Sequence, residues 1–312
     1  MQRAGIWILG TSRRCYSDEV RAFRNSAHWF VLLLISGIQA RALPLRLPPC
    51  QAAPAIREWI GADGKAVPFK TDGEILDFLR TARLLSFRNT GEGITGSRIV
   101  VLEKDGVRMR AICRAFRQRR QIVLPSGRQI EVRDEYRFEP AAYELSRMLG
   151  LDSVPPAILR EIEGRPGSLQ VWIEKSMTEK ARLRTGTKVT NEARLLHQLQ
   201  VMMVFDNLIY NSDRNRGNIL YDQYWNLWMI DHTRAFHASV ELLNPTVLTR
   251  CEENLWSALK DLDRGQVRAR LCKYLEPDEM DALFNRLDSL VEHIQEAIDE
   301  QGSERVLFVI PK

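Results

Sequence analysis

The chain has 312 residues, 45% of them hydrophobic, and 45 Lys and Arg against 40 Asp and Glu for a net charge of +5. That is enough apolar content for a real core, in one two-lobed domain or two small ones. The charge is small for this length and no Lys/Arg run interleaves with aromatics, which argues against nucleic-acid binding; the cysteines form no C-x-x-C and there is no H-E-x-x-H, which argues against zinc.

Residues 1–50 read as an address followed by a linker. Arg21 and Arg24 precede the apolar run Trp29 to Ile38, and Ala40-Arg41-Ala42 follows it. The run is too short to span a bilayer comfortably, and the layout is that of a secretory signal peptide. A buried core helix and an uncleaved signal anchor are the alternatives. The leader is long if it starts at Met1, so a start near Val20 is expected. The Pro-rich stretch Leu43 to Pro54 suits an exposed linker. The chain is therefore expected to be exported (secreted, periplasmic or lumenal) or membrane-anchored, with membrane proximity through the leader. In such a compartment Cys251 and Cys272 are the nearest candidates for a disulfide, and isolated buried thiols fit the sequence equally.

Residues 51–85 read as a mostly helical extension, with Ile75, Phe78, Leu79 and Ala82 on one face. Gly91, Gly93 and Gly96 then form a G-x-G-x-x-G that runs into a strand instead of opening a helix. Glycines before a β-hairpin fit a loop folded over phosphates, where backbone N–H groups approach the anion. A flexible turn is the equal alternative. Ile99 to Leu102 and Val107 to Phe116 flank an Asp105-Gly106 hairpin turn, and a second hairpin is expected between Gln121–Leu124 and Gln129–Val132. Arg117 to Arg120 read as a solvated edge.

The strand after the first turn ends in Ala111-Ile112-Cys113-Arg114, and Glu139 opens the following helix, expected over about Glu139 to Leu149 with Gly150 at its cap. A cation on such a strand paired with an acid on the next helix grips nucleotide phosphates; the bland alternative is a structural ion pair. Strands are expected at Val154 to Leu159 and Ser168 to Glu174. Trp172 lies where two lobes would join, placed to flank an adenine or to pack as an interlobe core residue. Thr190 or Asn191 should cap a long apolar helix, and Pro277 should begin another. A strand-rich half followed by a helix-rich half predicts an α+β chain of two lobes around a cleft.

The most specific segment is Asn211-Ser212-Asp213-Arg214-Asn215-Arg216-Gly217-Asn218, followed by a short hairpin and Ile230-Asp231-His232. Asp213 and Asn218 have the D-x-x-x-x-N spacing, and Asp231 follows the next strand. Phosphoryl transfer needs this set. One carboxylate orients the attacking hydroxyl, and a second carboxylate with an amide oxygen holds a divalent ion on the ATP phosphates. Arg214 or Arg216 is a candidate cation for the transferred group, or either is simply solvent-facing. His232 and Arg234 read as structural.

The run Asp206 to Leu220 with Ile230-Asp231-His232 and Ala235-Phe236 resembles the atypical kinases with a D-R-x-x-x-N loop. These include the HipA-like kinases, the phosphoinositide kinases and the secretory-pathway Golgi casein kinase and four-jointed group. Tyr136 to Leu145 and Leu149 to Pro156 resemble the helix and strand that carry the ion-pair acid in that last group. The resemblance implies a protein-kinase-like fold with an N-lobe over 86–175 and a helical C-lobe over 176–312. It implies Asp213 as catalytic Asp, Asn218 and Asp231 as metal ligands, and Glu139 as partner of Arg114. Arg114 stands where those kinases carry Lys, no His-Arg precedes Asp213, and no Gly follows Asp231 by two. The expected activity is transfer of the ATP γ-phosphate, with Mg2+ or Mn2+, to a hydroxyl on protein or another acceptor. A pseudokinase scaffold, an AMP-transferring relative, and an interaction protein without nucleotide are the alternatives.

Overall fold

The computed structural model describes residues 58–89, 97–123 and 126–310, all within the compact unit Pro48–Lys312. The leader, Gly91, Gly93 and Gly96 lie outside the described residues.

Helix α1 (Asp72–Thr81) starts where a capping box forms: Thr71 Oγ1 accepts the Glu74 N–H at 3.3 Å, and Glu74 Oε2 accepts the Thr71 N–H at 2.8 Å. It is the only helix described in residues 58–85, which corrects the expectation of a mostly helical extension. Before it, Ile60 and Ala66 form an antiparallel bridge around a turn at Gly64, and strand β1 begins already at Arg83. Ile75, Phe78 and Leu79 of α1 join the upper hydrophobic core.

That core lies against a five-stranded antiparallel sheet ordered β1-β2-β3-β7-β6. It is built from β1 (Arg83–Asn89), β2 (Arg98–Lys104), β3 (Val107–Arg114), β6 (Ala157–Ile162) and β7 (Arg165–Val171). The β2–β3 turn takes φ of 51° at Asp105 and 77° at Gly106, the left-handed pair that a two-residue hairpin matching strand twist requires. Strand β6 starts only at Ala157 because Pro155 and Pro156 have no N–H to give a ladder. The second hairpin, β4 (Arg117–Val123) with β5 (Gln129–Glu135), is longer than expected and forms a sheet of its own.

Helix α2 (Phe138–Met148) follows, and its buried residues Phe138, Ala141, Ala142 and Leu145 belong to the lower core. After β8 (Met177–Thr178) and α3 (Glu179–Thr185) comes α4 (Glu192–Ile209), capped by Asn191. Phe205 and Leu208 of α4 are wholly buried. Strands β9 (Ile219–Tyr221) and β10 (Leu227–Met229) form a hairpin extended by β8. Helices α5 (Glu253–Lys260), α6 (Arg264–Leu271) and α7 (Pro277–Gln301) follow, the last with Pro at the first helical position as expected, and a short helix over Ser303–Val306 and a strand at Leu307–Phe308 come after it. Trp228 of β10 reaches up to the other core, its ring 5.9 Å from that of Trp59. Cys113 and Cys251 are buried free thiols and Cys272 is exposed and free. Among the described residues no helix is long and apolar enough to cross a membrane.

Candidate active site

Helix α4 ends at Tyr210, whose φ of 51° is left-handed. Asn211 then turns the chain back, donating its N–H to the Asp206 carbonyl at 2.9 Å and its Nδ2 to Asp206 Oδ1 at 3.0 Å. Its Oδ1 accepts the Asp213 N–H at 3.3 Å, which fixes the start of the loop. Arg214 folds beneath. Its Nε and Nη2 donate to the two Asp206 carboxylate oxygens at 2.8 and 3.0 Å, and its Nη1 to the carbonyls of Asn218 and Ile230 at 2.6 and 2.7 Å. A bidentate, charge-assisted pair of this kind is rigid. Arg214 is therefore committed to holding the loop, which corrects its expected availability to a transferred group.

Asn218 Nδ2 donates to the Asp213 carbonyl at 2.9 Å, and the Asn218 carbonyl accepts the Ile230 N–H at 3.2 Å. The side-chain amide is thereby oriented, with Nδ2 committed and Oδ1 at its other end. Beyond β10, Asp231 takes a left-handed φ of 59°. Its Oδ1 accepts from Thr233 Oγ1 at 3.2 Å and lies 3.5 Å from Arg114 Nη2.

Arg114, at the end of β3, is only 5% exposed. Its Nη1 is 3.3 Å from Glu139 Oε1, so one guanidinium stands between the α2 carboxylate and Asp231. The contact is ionic, since Nε and Nη1 are buried with no hydrogen-bond acceptor. Glu139 is fully buried, accepting the His232 N–H at 3.0 Å and Gln170 Nε2 at 3.0 Å. Burial alone would push its carboxyl up; the Arg114 charge and the His232 bonds prevail and hold it well below the usual carboxylate range. Burial likewise works against the Arg114 charge, and Glu139 and Asp231 more than restore it.

The donors fit a nucleotide-borne divalent ion better than a free-standing metal site. Among the described residues no group of three or more His, Cys, Asp and Glu could hold a metal. Asn218 and Asp231 offer two hard oxygens, and Mg2+ bound this way draws its remaining ligands from phosphates and water. Arg114 Nε and Nη1 are buried donors that no acceptor among the described residues completes.

Trp172 follows β7. Its N–H donates to the Arg110 carbonyl at 3.0 Å, and the Arg110 guanidinium, held by Glu174 at 2.7 Å, lies 5.4 Å from its ring centre. The contacts of Trp172 are thus with the upper sheet, and among the described residues none joins it to the acidic cluster. Arg234, three residues past Asp231, donates Nε to Asp134 Oδ2 at 2.6 Å and places Nη1 at 3.4 Å from Asp213 Oδ2.

The structure of hydra Fam20 with sugar matches with a TM-score of 0.56 at 16% identity, over 77% of this chain and 94% of that one. The fold is kinase-like. The expected two-lobed α+β architecture, strand-rich above and helical below, is borne out at this level. The Helicobacter pylori proinflammatory kinase CtkA matches with a TM-score of 0.45 at 11% identity, over 71% of this chain and 98% of that one. No family model matches the sequence, and no curated protein does.

Sequence reasoning gave no role to Asp206, to Gln170, or to His232 as a link between lobes. A usable signal existed for the first. Asp206, with Asn207, interrupts an otherwise apolar helix end, and a buried carboxylate is retained only where it is paired.

Proposed function

We propose that the chain is an ATP-dependent phosphotransferase that moves the γ-phosphate to a hydroxyl, most simply on protein. The observation that carries this is the Arg114 guanidinium held between Glu139 at 3.3 Å and Asp231 at 3.5 Å. A buried cation needs only one carboxylate for charge balance. Two leave the cluster net negative, which favours a further cation, the divalent ion that a nucleotide brings with it.

In this reading Arg114 grips the nucleotide phosphates and Glu139 fixes Arg114. Asn218 and Asp231 hold Mg2+ or Mn2+, whose chemistry is to bridge the phosphates and offset their charge. Asp213 orients the acceptor hydroxyl and takes its proton. Trp172 would border the base. The leader would carry the domain out of the cytoplasm, and mass spectrometry of the mature N-terminus tests that part.

The test is calorimetric titration of ATP with Mg2+ or Mn2+ into wild type and Asp231→Asn. We expect metal-dependent ATP binding that the variant weakens at least about tenfold, equivalent to about 1.4 kcal/mol. Equal affinity in both proteins, or none in wild type, overturns the proposal. A second reading, a nucleotide-binding pseudokinase, is favoured by Arg114 itself, since its planar fork reaches phosphates differently from a Lys ammonium. Nucleotide binding without label transfer from γ-labelled ATP, restored by Arg114→Lys, would select it.

A further inference from the structure

We infer that Arg234 is a catalytic residue that contacts the transferred phosphoryl group, a role that rests on the phosphotransferase reading above. Three arginines surround the Asp213–Asn218 loop with different fates. Arg214 is 8% exposed and committed to Asp206 and two carbonyls. Arg216 is exposed. Arg234 is intermediate, 31% exposed, held tightly at Nε and only loosely at Nη1.

The hold is specific. The Glu135 N–H donates to the Thr233 carbonyl at 2.9 Å and ties β5 to the chain just before Arg234. Asp134, buried on β5, accepts Nε at 2.6 Å. A guanidinium is planar, so fixing Nε restricts the direction of its outer nitrogens, and the ordering entropy that a free arginine would lose on binding is already spent. Nη1 then lies 3.4 Å from Asp213 Oδ2. Tight charge-assisted bonds run about 2.7–2.9 Å, so this contact is loose and leaves the outer nitrogens able to serve another acceptor.

The position fits the reaction. The acceptor oxygen forms a bond to the γ-phosphorus while its proton passes to the Asp213 carboxylate. The bond from the γ-phosphorus to the β–γ bridging oxygen breaks, and ADP departs with that electron pair. Negative charge is spread over the three equatorial oxygens of the group in flight. Asp213 must touch the acceptor hydroxyl, so a cation in contact with Asp213 stands beside those oxygens. Arg114 serves the opposite, metal-side end.

The experiment uses the full chain, with ATP and ADP as probes in the presence of Mg2+. Affinities are measured by calorimetry, and turnover as label transfer from γ-labelled ATP together with ADP release. Arg234→Met should leave ADP affinity within about twofold and weaken ATP about tenfold, the equivalent of one charge-assisted bond. It should slow turnover by about a thousandfold or more, the scale of an arginine supplied to a transferring phosphoryl group. Arg234→Lys, which keeps the charge and loses the fork, should fall between. Unchanged preference for ATP over ADP in Arg234→Met overturns the inference. So does an equal loss of both nucleotides, which marks a structural role. Wild type that binds neither nucleotide overturns the reading of the site itself, and this inference with it.

Discussion

His232 Nε2 lies 3.0 Å from Arg214 Nη2. A guanidinium only donates, so Nε2 accepts; the hydrogen bonds thus assign the ring proton to Nδ1, which faces Glu139 Oε2 at 3.5 Å. One buried imidazole therefore joins the acid of α2 to the arginine under the Asp213 loop, and through it to Asp206. The upper ion pair and the lower loop are held by one continuous set of bonds.

Replacing that ring tests the link. His232→Phe preserves the volume and removes both ring nitrogens, leaving Glu139 and Arg214 each short of a buried partner. We expect a loss of about 2–4 kcal/mol in urea unfolding. A loss below about 0.5 kcal/mol would mean that the two halves stand without it.

Arg214→Lys keeps the charge and gives up the planar fork. The ammonium cannot meet both Asp206 oxygens and the carbonyls of Asn218 and Ile230 together. Destabilisation of about 2–3 kcal/mol is expected. Hydrogen exchange should rise at Ile230, whose N–H bonds the Asn218 carbonyl at 3.2 Å.

His237 governs a pH dependence. Burial first, and the nearby Arg286 charge second, push its pKa down to about 4 from an ordinary 6.5. Between those values the unfolded chain binds a proton that the folded chain refuses, so stability rises with pH across this window. The contribution is fully present above pH 6.5 and is lost as pH falls towards 4. It amounts to about 3 kcal/mol at most. Thermal melts of wild type and His237→Gln from pH 7 to 4 should converge as the pH drops; parallel curves would refute the assignment.

Arg133 is 3% exposed on β5. It donates Nε to Glu279 Oε1 at 2.5 Å and Nη1 to Glu135 Oε2 at 2.6 Å, which ties the hairpin to the start of α7. Arg133→Met leaves the buried Glu279 carboxylate without its cation, while Glu135 keeps Arg137 and Arg117, and should cost about 3–5 kcal/mol. Glu279→Gln should cost less, because its amide oxygen still accepts and burial already pushes that carboxyl up. Chemical denaturation of the two variants compares them directly.

Local rules carried much of the fold. The Asp105-Gly106 turn, the Asn191 cap and the Pro277 start are each decided by residues within a few positions, and each was legible. The longer second hairpin was not, because its charged strand residues look solvated until Glu276 and Glu279 arrive from far along the chain. The site divides the same way. Spacing alone singled out Asp213, Asn218 and Asp231, and Glu139 lies beside Arg114 as the order of elements suggests. The roles of His232, Arg214 and Arg234 depend on which carboxylate each one meets across the fold. No local pattern carries that information.

Helix α2 draws its carboxylate from one lobe's ion pair while sinking Phe138, Ala141 and Leu145 into the core of the other. Swinging it outward would bare Phe138 and Leu145 to water, at about 1.5–3 kcal/mol each, before any of the Glu139 bonds is counted. By that measure fewer than about one molecule in a hundred rests with the helix displaced. An effector acting by helix rotation would have to prefer the rarer arrangement by more than that margin. Helix α2 is held from both sides, by its buried face below and by the Arg114 pair above.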